Sequence, residues 1–356
     1  MPPHSILSID YTPPMPPLPR MTIGKTGTAI LCSLTLLGAC NSQDKKGMTK
    51  EAQLGLHLEG GLGYFTAGDL DRAQVQVQKG LALDHDNERL LLLLGDIHQQ
   101  RGTTADIRAA EAIFRAHPAQ HDFRVQLGLG IALERLGVLF EDAASAIRSG
   151  DRTTDALDPA KRADELESHA QEAWTECKAC YLETLEIHLG NTKAVAGLVR
   201  VCALLGDEAA SIRWGREYIE ILKSASRVRQ LELEDATLAA NRESELKGAI
   251  ALNDEATIKT HLHISTIYTR QENLQGAVDE LGAVIAINPD LPQAYSRRAA
   301  IYFRLAQYQR ASDTMNTFLK LSAHLPFDHP DIRQAYALLR RCKDALSAGD
   351  LVGSKN

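Results

Sequence analysis

Cys177-Lys178-Ala179-Cys180 is the spacing in this chain with the most chemistry in it. Two thiols three residues apart can cycle between dithiol and disulfide, or supply half of a four-ligand zinc site. The surrounding sequence argues against both uses. No histidine follows Cys180, which excludes a haem-attachment box, and no second CxxC completes a zinc site. Both cysteines fall inside a helical pattern, where they pack as small apolar residues. In an oxidising compartment a disulfide stays open as an alternative, with Cys202 on a later helix as a candidate partner. His261 and His263 lie two apart on a predicted helix, roughly 200° apart around its axis, so they do not face one metal ion. His188 and His329 have no companions. HExxH, phosphate-loop, GxSxG and strand-borne GxGxxG patterns are missing. Acidic pairs such as Glu232 and Glu234 are scattered on solvated faces. The expectation is no catalytic residue, no metal and no cofactor.

The elements that carry these residues repeat. Gly61 and Gly68 recur 34 residues on as Gly95 and Gly102, and Tyr268 and Ala277 recur as Tyr302 and Ala311. A fixed period of this size marks a solenoid, in which each copy is too small to bury its own apolar face and stacks on the next. The clearest copy is THLHISTIYTRQENLQGAVDELGAVIAINPDLP from Thr260 to Pro292, followed by a second to Pro326. Small residues (Ala277, Ala311) stand where two helices cross, large ones (Leu281, Met315) one turn later, and Pro289 and Pro326 close the hairpins, since proline cannot continue a helix. Only 5% of the 356 residues are aromatic, 44% are apolar, and no run of alternating β-branched residues occurs, which fits an all-helical chain with a substantial core. The net charge of −7 is well mixed, with no basic cluster interleaved with aromatics, so nucleic acid is not the expected partner.

This small–large–small pattern with its turn proline resembles the tetratricopeptide repeat (TPR) family, although His261 and Tyr295 stand where that family has a tryptophan. The resemblance covers about residues 53–346. It implies an all-α solenoid of antiparallel helix hairpins winding into a right-handed superhelix, about seven hairpins in all. A third copy is expected from His121 with a turn at Gly137. Asp158-Pro159 starts either a hairpin or one long helix, and a further hairpin turns at Gly206. The expected order is repeats over 53–225, an irregular helical insertion over 226–257, repeats with a capping helix over 258–346 and a tail over 347–356. In that family the first helices line a groove that holds a peptide or a partner helix. One groove position, carried over copy by copy, is Thr66, Gln100, Leu204, Arg270 and Arg304, with Arg200 and Thr266 one turn earlier. The resemblance thus implies a partner-binding groove built on Gln100, Arg200, Thr266, Arg270 and Arg304, with the last two arginines side by side and suited to a carboxylate. The Lys/Asn combination of the chaperone-binding clamp is not at the matching positions.

The N-terminus reads differently. From Met21 a short positive region (Lys25) precedes an apolar stretch from about Thr28 to Leu37, too short to span a bilayer. It ends in Leu37-Gly38-Ala39-Cys40, which resembles the bacterial lipobox. The resemblance implies a signal peptide over 1–39, with translation starting at Met21 because seven prolines crowd residues 1–20. It also implies a lipid on Cys40 and a tether over 40–52. Asn41 in place of Asp favours the outer membrane by the enterobacterial sorting rule. The layout as a whole resembles bacterial TPR lipoproteins, which implies a non-catalytic envelope scaffold facing the periplasm with a protein partner. The alternatives are a structural subunit of an envelope assembly of the type IV pilus or secretin kind, and a thiol-redox or metal protein using Cys177 and Cys180.

Overall fold

The computed structural model describes residues 48–151, 158–235 and 238–353, and these residues form thirteen helices and no strand. In chain order they are α1 (Lys50–Thr66), α2 (Leu70–Leu81), α3 (Glu88–Arg101), α4 (Thr104–Arg115), α5 (Phe123–Ser149), α6 (Pro159–Ile187), α7 (Thr192–Leu204), α8 (Glu208–Leu233), α9 (Ala240–Arg270), α10 (Leu274–Ile287), α11 (Pro292–Arg304), α12 (Tyr308–Leu321) and α13 (Pro330–Gly353). Residues 48–56 hold the start of α1, and the chain from His57 onward is a separate compact unit. Within that unit each helix from α2 onward packs on the next in sequence, and first helices also meet across hairpins: α3 on α5, α5 on α7, α11 on α13. That contact pattern is a TPR-type α-solenoid, with six hairpins and α13 closing the stack.

Local chemistry sets the ends. Asp69, Asn87, Thr103, Asp158, Asn191, Asp207 and Asn273 each accept a hydrogen bond from a backbone N–H in the first turn of the helix they precede, satisfying donors that have no intrahelical partner. The first helix of a hairpin stops at a left-handed residue. In the N-terminal and central copies it is a glycine, at Gly68, Gly102 and Gly206; in the C-terminal copies the same place is held by Glu272 (φ 58°) and Ala306 (φ 59°). A side chain there is strained, because Cβ crowds the following carbonyl.

The core is a row of aromatic plugs in glycine notches. Phe114 of α4 sits where a Cβ on Gly95 of α3 or Gly128 of α5 would fall. Tyr181 of α6 fills the notches at Gly130 of α5 and Gly197 of α7, and its hydroxyl donates to Glu134 Oε2 at 2.6 Å. Trp174 of α6 lies against Gly137. Gly137 therefore makes no turn, contrary to the sequence expectation. α5 runs straight through it for 27 residues, because the glycine is there to admit an indole. Asp158-Pro159 opens one long helix, α6, of 29 residues. Over 226–257 the end of α8 and the start of α9 lie side by side, tied by Arg242 to Glu232 at 2.8 Å and by Asn253 Nδ2 to the Ser226 hydroxyl at 3.0 Å. Two neighbouring pairs are thus longer than the rest: α5–α6, and α8–α9, where one hairpin passes into the next. The segment over residues 1–47, with Cys40, lies outside the described residues.

Candidate functional site

Four consecutive first helices open on one cleft of about 560 Å³. On α3 its lining is Arg89, Leu92, Leu93, Asp96 and Gln99, a spacing of three and four that keeps them on one helix face. α5 adds Phe123, Arg124, Leu127 and Ile131, and α1 adds Leu58 and Leu62. The turn into α7 closes it with His188, Asn191, Thr192 and Lys193. The floor is aliphatic, with Leu92 and Leu93 buried and Leu62 left 42% exposed. The rim is basic: Arg89, Arg124 and Lys193 are all exposed. Phe123 and His188 stack at its edge with ring centroids 4.8 Å apart.

Asp96 is the one carboxylate in the lining. Water reaches it through the open cleft, yet protein crowds it on most sides, and this desolvation pushes its pKa up from 3.8 to about 6 against the opposing pull of Lys193 and Arg124. It makes no hydrogen bond and no ion pair among the described residues.

None of Gln100, Arg200, Thr266, Arg270 and Arg304 lines this cleft. Arg200 is clasped by Glu134, with Nη2 to Oε2 at 2.9 Å. Arg270 pairs with Glu208 at 2.9 Å and Arg304 with Glu272 at 2.5 Å. In both cases the last residue of a first helix reaches the turn region of the preceding hairpin. Arg101, at the end of α3, does the same with Asp71 at 2.6 Å. These arginines staple neighbouring hairpins together. The Thr266 hydroxyl donates to Leu262 O at 2.9 Å, and Gln100 is half-buried with Oε1 unpartnered. The cleft residues went unremarked in the sequence although a signal existed. Asn87-Glu-Arg89, Asp122-Phe-Arg124 and Asn191-Thr-Lys193 each place a cation two residues after a capping side chain.

The four cysteines of the described residues are free and buried. Burial pushes the Cys177 thiol well above its ordinary range and Cys180 up to about 12. A thiol of that kind supplies almost no thiolate at neutral pH, so the pair is poorly suited to redox exchange. His261 is bonded to Glu280 at 2.6 Å and His263 to the Ser211 hydroxyl at 2.9 Å, on different neighbours. Among the described residues no group of three His, Cys, Asp or Glu side chains could hold a metal ion, and no helix is long and apolar enough to cross a membrane.

No known family matches the chain by sequence, and no curated protein does. Among solved structures it is similar to Pseudomonas aeruginosa PilF, at 10% identity and a TM-score of 0.44 over 81% of this chain and 98% of that one. It is also similar to YrrB, a TPR protein with an unusual peptide-binding site, at 12% identity and a TM-score of 0.39 over 73% and 97%. The Thermus thermophilus TPR protein TTC0263 matches at 13% identity and a TM-score of 0.34 over 72% and 100%.

Proposed function

We propose that this protein is a non-catalytic scaffold of the bacterial cell envelope, anchored by a lipid on Cys40, that captures a partner protein in the cleft between α1, α3, α5 and α7. The observation that carries the interaction reading is the cleft itself. Four hairpins contribute to one accessible surface with an aliphatic floor and a charged rim, the composition that lets a partner bury apolar side chains while polar ones fix its register. The buried, high-pKa thiols and the separate bonding of His261 and His263 count against a redox or metal role for these residues.

A photo-crosslinking residue at Leu62, exposed on the cleft wall, tests the interaction half in intact cells. One defined partner should be trapped from Leu62 and not from an outward position such as Val75. Equal or no trapping from both positions would sink the cleft as the interface. The anchor has its own assay: wild type should incorporate labelled palmitate and partition with outer-membrane vesicles, and Cys40→Ser should do neither.

A second reading, a structural subunit of an envelope assembly of the pilus or secretin kind, draws support from the C-terminal end of α8. There Val228 and Leu231, three apart and so on one face of α8, are 64% and 61% exposed. Val228→Lys with Leu231→Lys should release the protein from a large detergent-extracted complex if that reading holds, and leave its sedimentation unchanged otherwise.

A further inference from the structure

The charge pattern of the cleft says more about its occupant than its shape does. Arg89, Arg124 and Lys193 are each the second residue of their helix, on α3, α5 and α7. A helix start carries partial positive charge from its unpaired N–H groups, so a cation there is electrostatically unfavourable and an Asp or Glu would serve the helix better. Three successive first helices nonetheless place a cation at this point, all facing one cleft. Arg124 is held by Asp122 at 2.5 Å, but Arg89 and Lys193 make no hydrogen bond or ion pair among the described residues. Ion pairing within the fold thus leaves Arg89 unexplained, and Lys193 has only its longer-range attraction to Asp96. What a row of helix starts and cations over an aliphatic floor complements is an anionic chain with apolar side chains between its charges.

Asp96 stands against that preference. It is the single negative group in the lining, and the groups that face it are Arg89 on its own helix, Arg124 on α5, His188 in the turn before α7 and Lys193 on α7; α1 contributes only Leu58 and Leu62. Ionised, it repels an acidic occupant at contact distance. Protonated, it loses that repulsion and gains an O–H able to donate to a carboxylate or carbonyl of the occupant. We propose that the cleft binds an acidic segment of the partner carrying aliphatic side chains, and that Asp96 gates the capture, opposing it when ionised and supporting it when protonated. This rests on the cleft being the partner site. The high proton affinity that crowding gives Asp96 places the switch in the mildly acidic range, where the carboxylates of the occupant itself remain mostly charged.

The test uses the detergent-solubilised full chain and a labelled, end-blocked octapeptide of alternating glutamate and leucine, read by fluorescence anisotropy. Wild type should bind it at pH 7.5 and about tenfold more tightly at pH 5.5, a gain of the size that one removed like charge gives near a protein surface. Asp96→Asn should bind at pH 7.5 as wild type does at pH 5.5. Arg89→Ala with Lys193→Ala, both at exposed positions, should lose at least tenfold at either pH with an unchanged helical signal. Tighter binding of the lysine–leucine counterpart at pH 7.5 would overturn the proposal by making Asp96 an anchor for a cation. Indifference of the acidic peptide to the Arg89/Lys193 double variant, or no binding of it at all, would also overturn it. A partner trapped from Leu62 in cells together with no acidic-peptide binding would leave the scaffold standing and remove only its acidic preference. Failure of the Leu62 probe tells against the scaffold itself.

Discussion

Asp96 holds its proton more tightly in the folded chain than an open carboxyl does, at about 6 against 3.8, and stability must follow. Below about pH 4 the folded and unfolded chains both carry the proton, and Asp96 costs the fold nothing. As pH rises through 6 the folded state must give up a proton that the unfolded state released earlier, so stability falls and then levels off. Asp106, Asp122 and Asp207 act in the opposite sense. Hydrogen bonds from Thr103, Arg124 and the Ala210 N–H lower their pKa values, and what they contribute is lost as the pH falls. The difference between wild type and Asp96→Asn isolates the one group: the variant should be the more stable above pH 6, and the two should converge by pH 4 in urea titrations. The cysteines give a second residue-level expectation. In the native protein Cys177 and Cys180 should not react with a thiol reagent within hours, and should react at once after unfolding. Ala306 gives a third. A non-glycine residue in the left-handed region is strained by on the order of 1 kcal/mol, so Ala306→Gly should raise the midpoint of denaturation, unlike a glycine placed elsewhere in a helix.

Among the elements, the aromatic plugs matter more than the arginine staples. Gly197→Ala would push a methyl group into the Tyr181 ring, which α5 pins from the other side, and overpacking of this kind costs about 1–3 kcal/mol. Arg304→Ala removes an ion pair whose partners are 38% and 73% exposed, where about 0–1 kcal/mol is the normal scale. Denaturation of the two variants side by side should rank them in that order. The same contrast explains what the sequence disclosed and what it hid. The 34-residue recurrence of Gly61, Gly68, Tyr268 and Ala277 reports packing every copy must satisfy, so hairpins were legible from it. Gly137 was misread because a glycine at a turn and a glycine under an indole look alike until Trp174, far along the chain, is seen to fill the notch. The long α8–α9 pair is hidden by its charged, weakly periodic sequence, which reads as irregular although Arg242 and Asn253 knit it together. The cleft was harder still. Arg270 and Arg304 stood out by repetition, yet repetition served the contact between hairpins, while Arg89, Asp96 and Lys193 converge only once three helices have been stacked.

At the scale of the whole molecule the stack has no single centre, and its cooperativity is open to a direct experiment. One large core cluster joins α3 through α7 around Phe114, Trp174 and Tyr181, while smaller clusters around Tyr302 and around Phe318 hold the C-terminal hairpins. The last of these is completed by Ile332 and Ala335 of α13. In a solenoid, stability is close to a sum of repeat and interface contributions, so loss of a terminal interface should loosen its neighbours before it is felt in the middle. The protein supplies its own reporters, because its two tryptophans, Trp174 and Trp214, both belong to the central cluster. A chain ending before Pro330 leaves Met315 and Phe318 without their partners. Its helical signal should begin to melt at lower denaturant than that of the full chain, while the tryptophan fluorescence transition stays near its original midpoint. Two separated transitions would show that the C-terminal hairpins unfold as a unit apart from the cleft-bearing ones, leaving the cleft formed. A single transition, shifted equally for both signals, would mean that the core couples all six hairpins and that damage at the cap reaches the cleft.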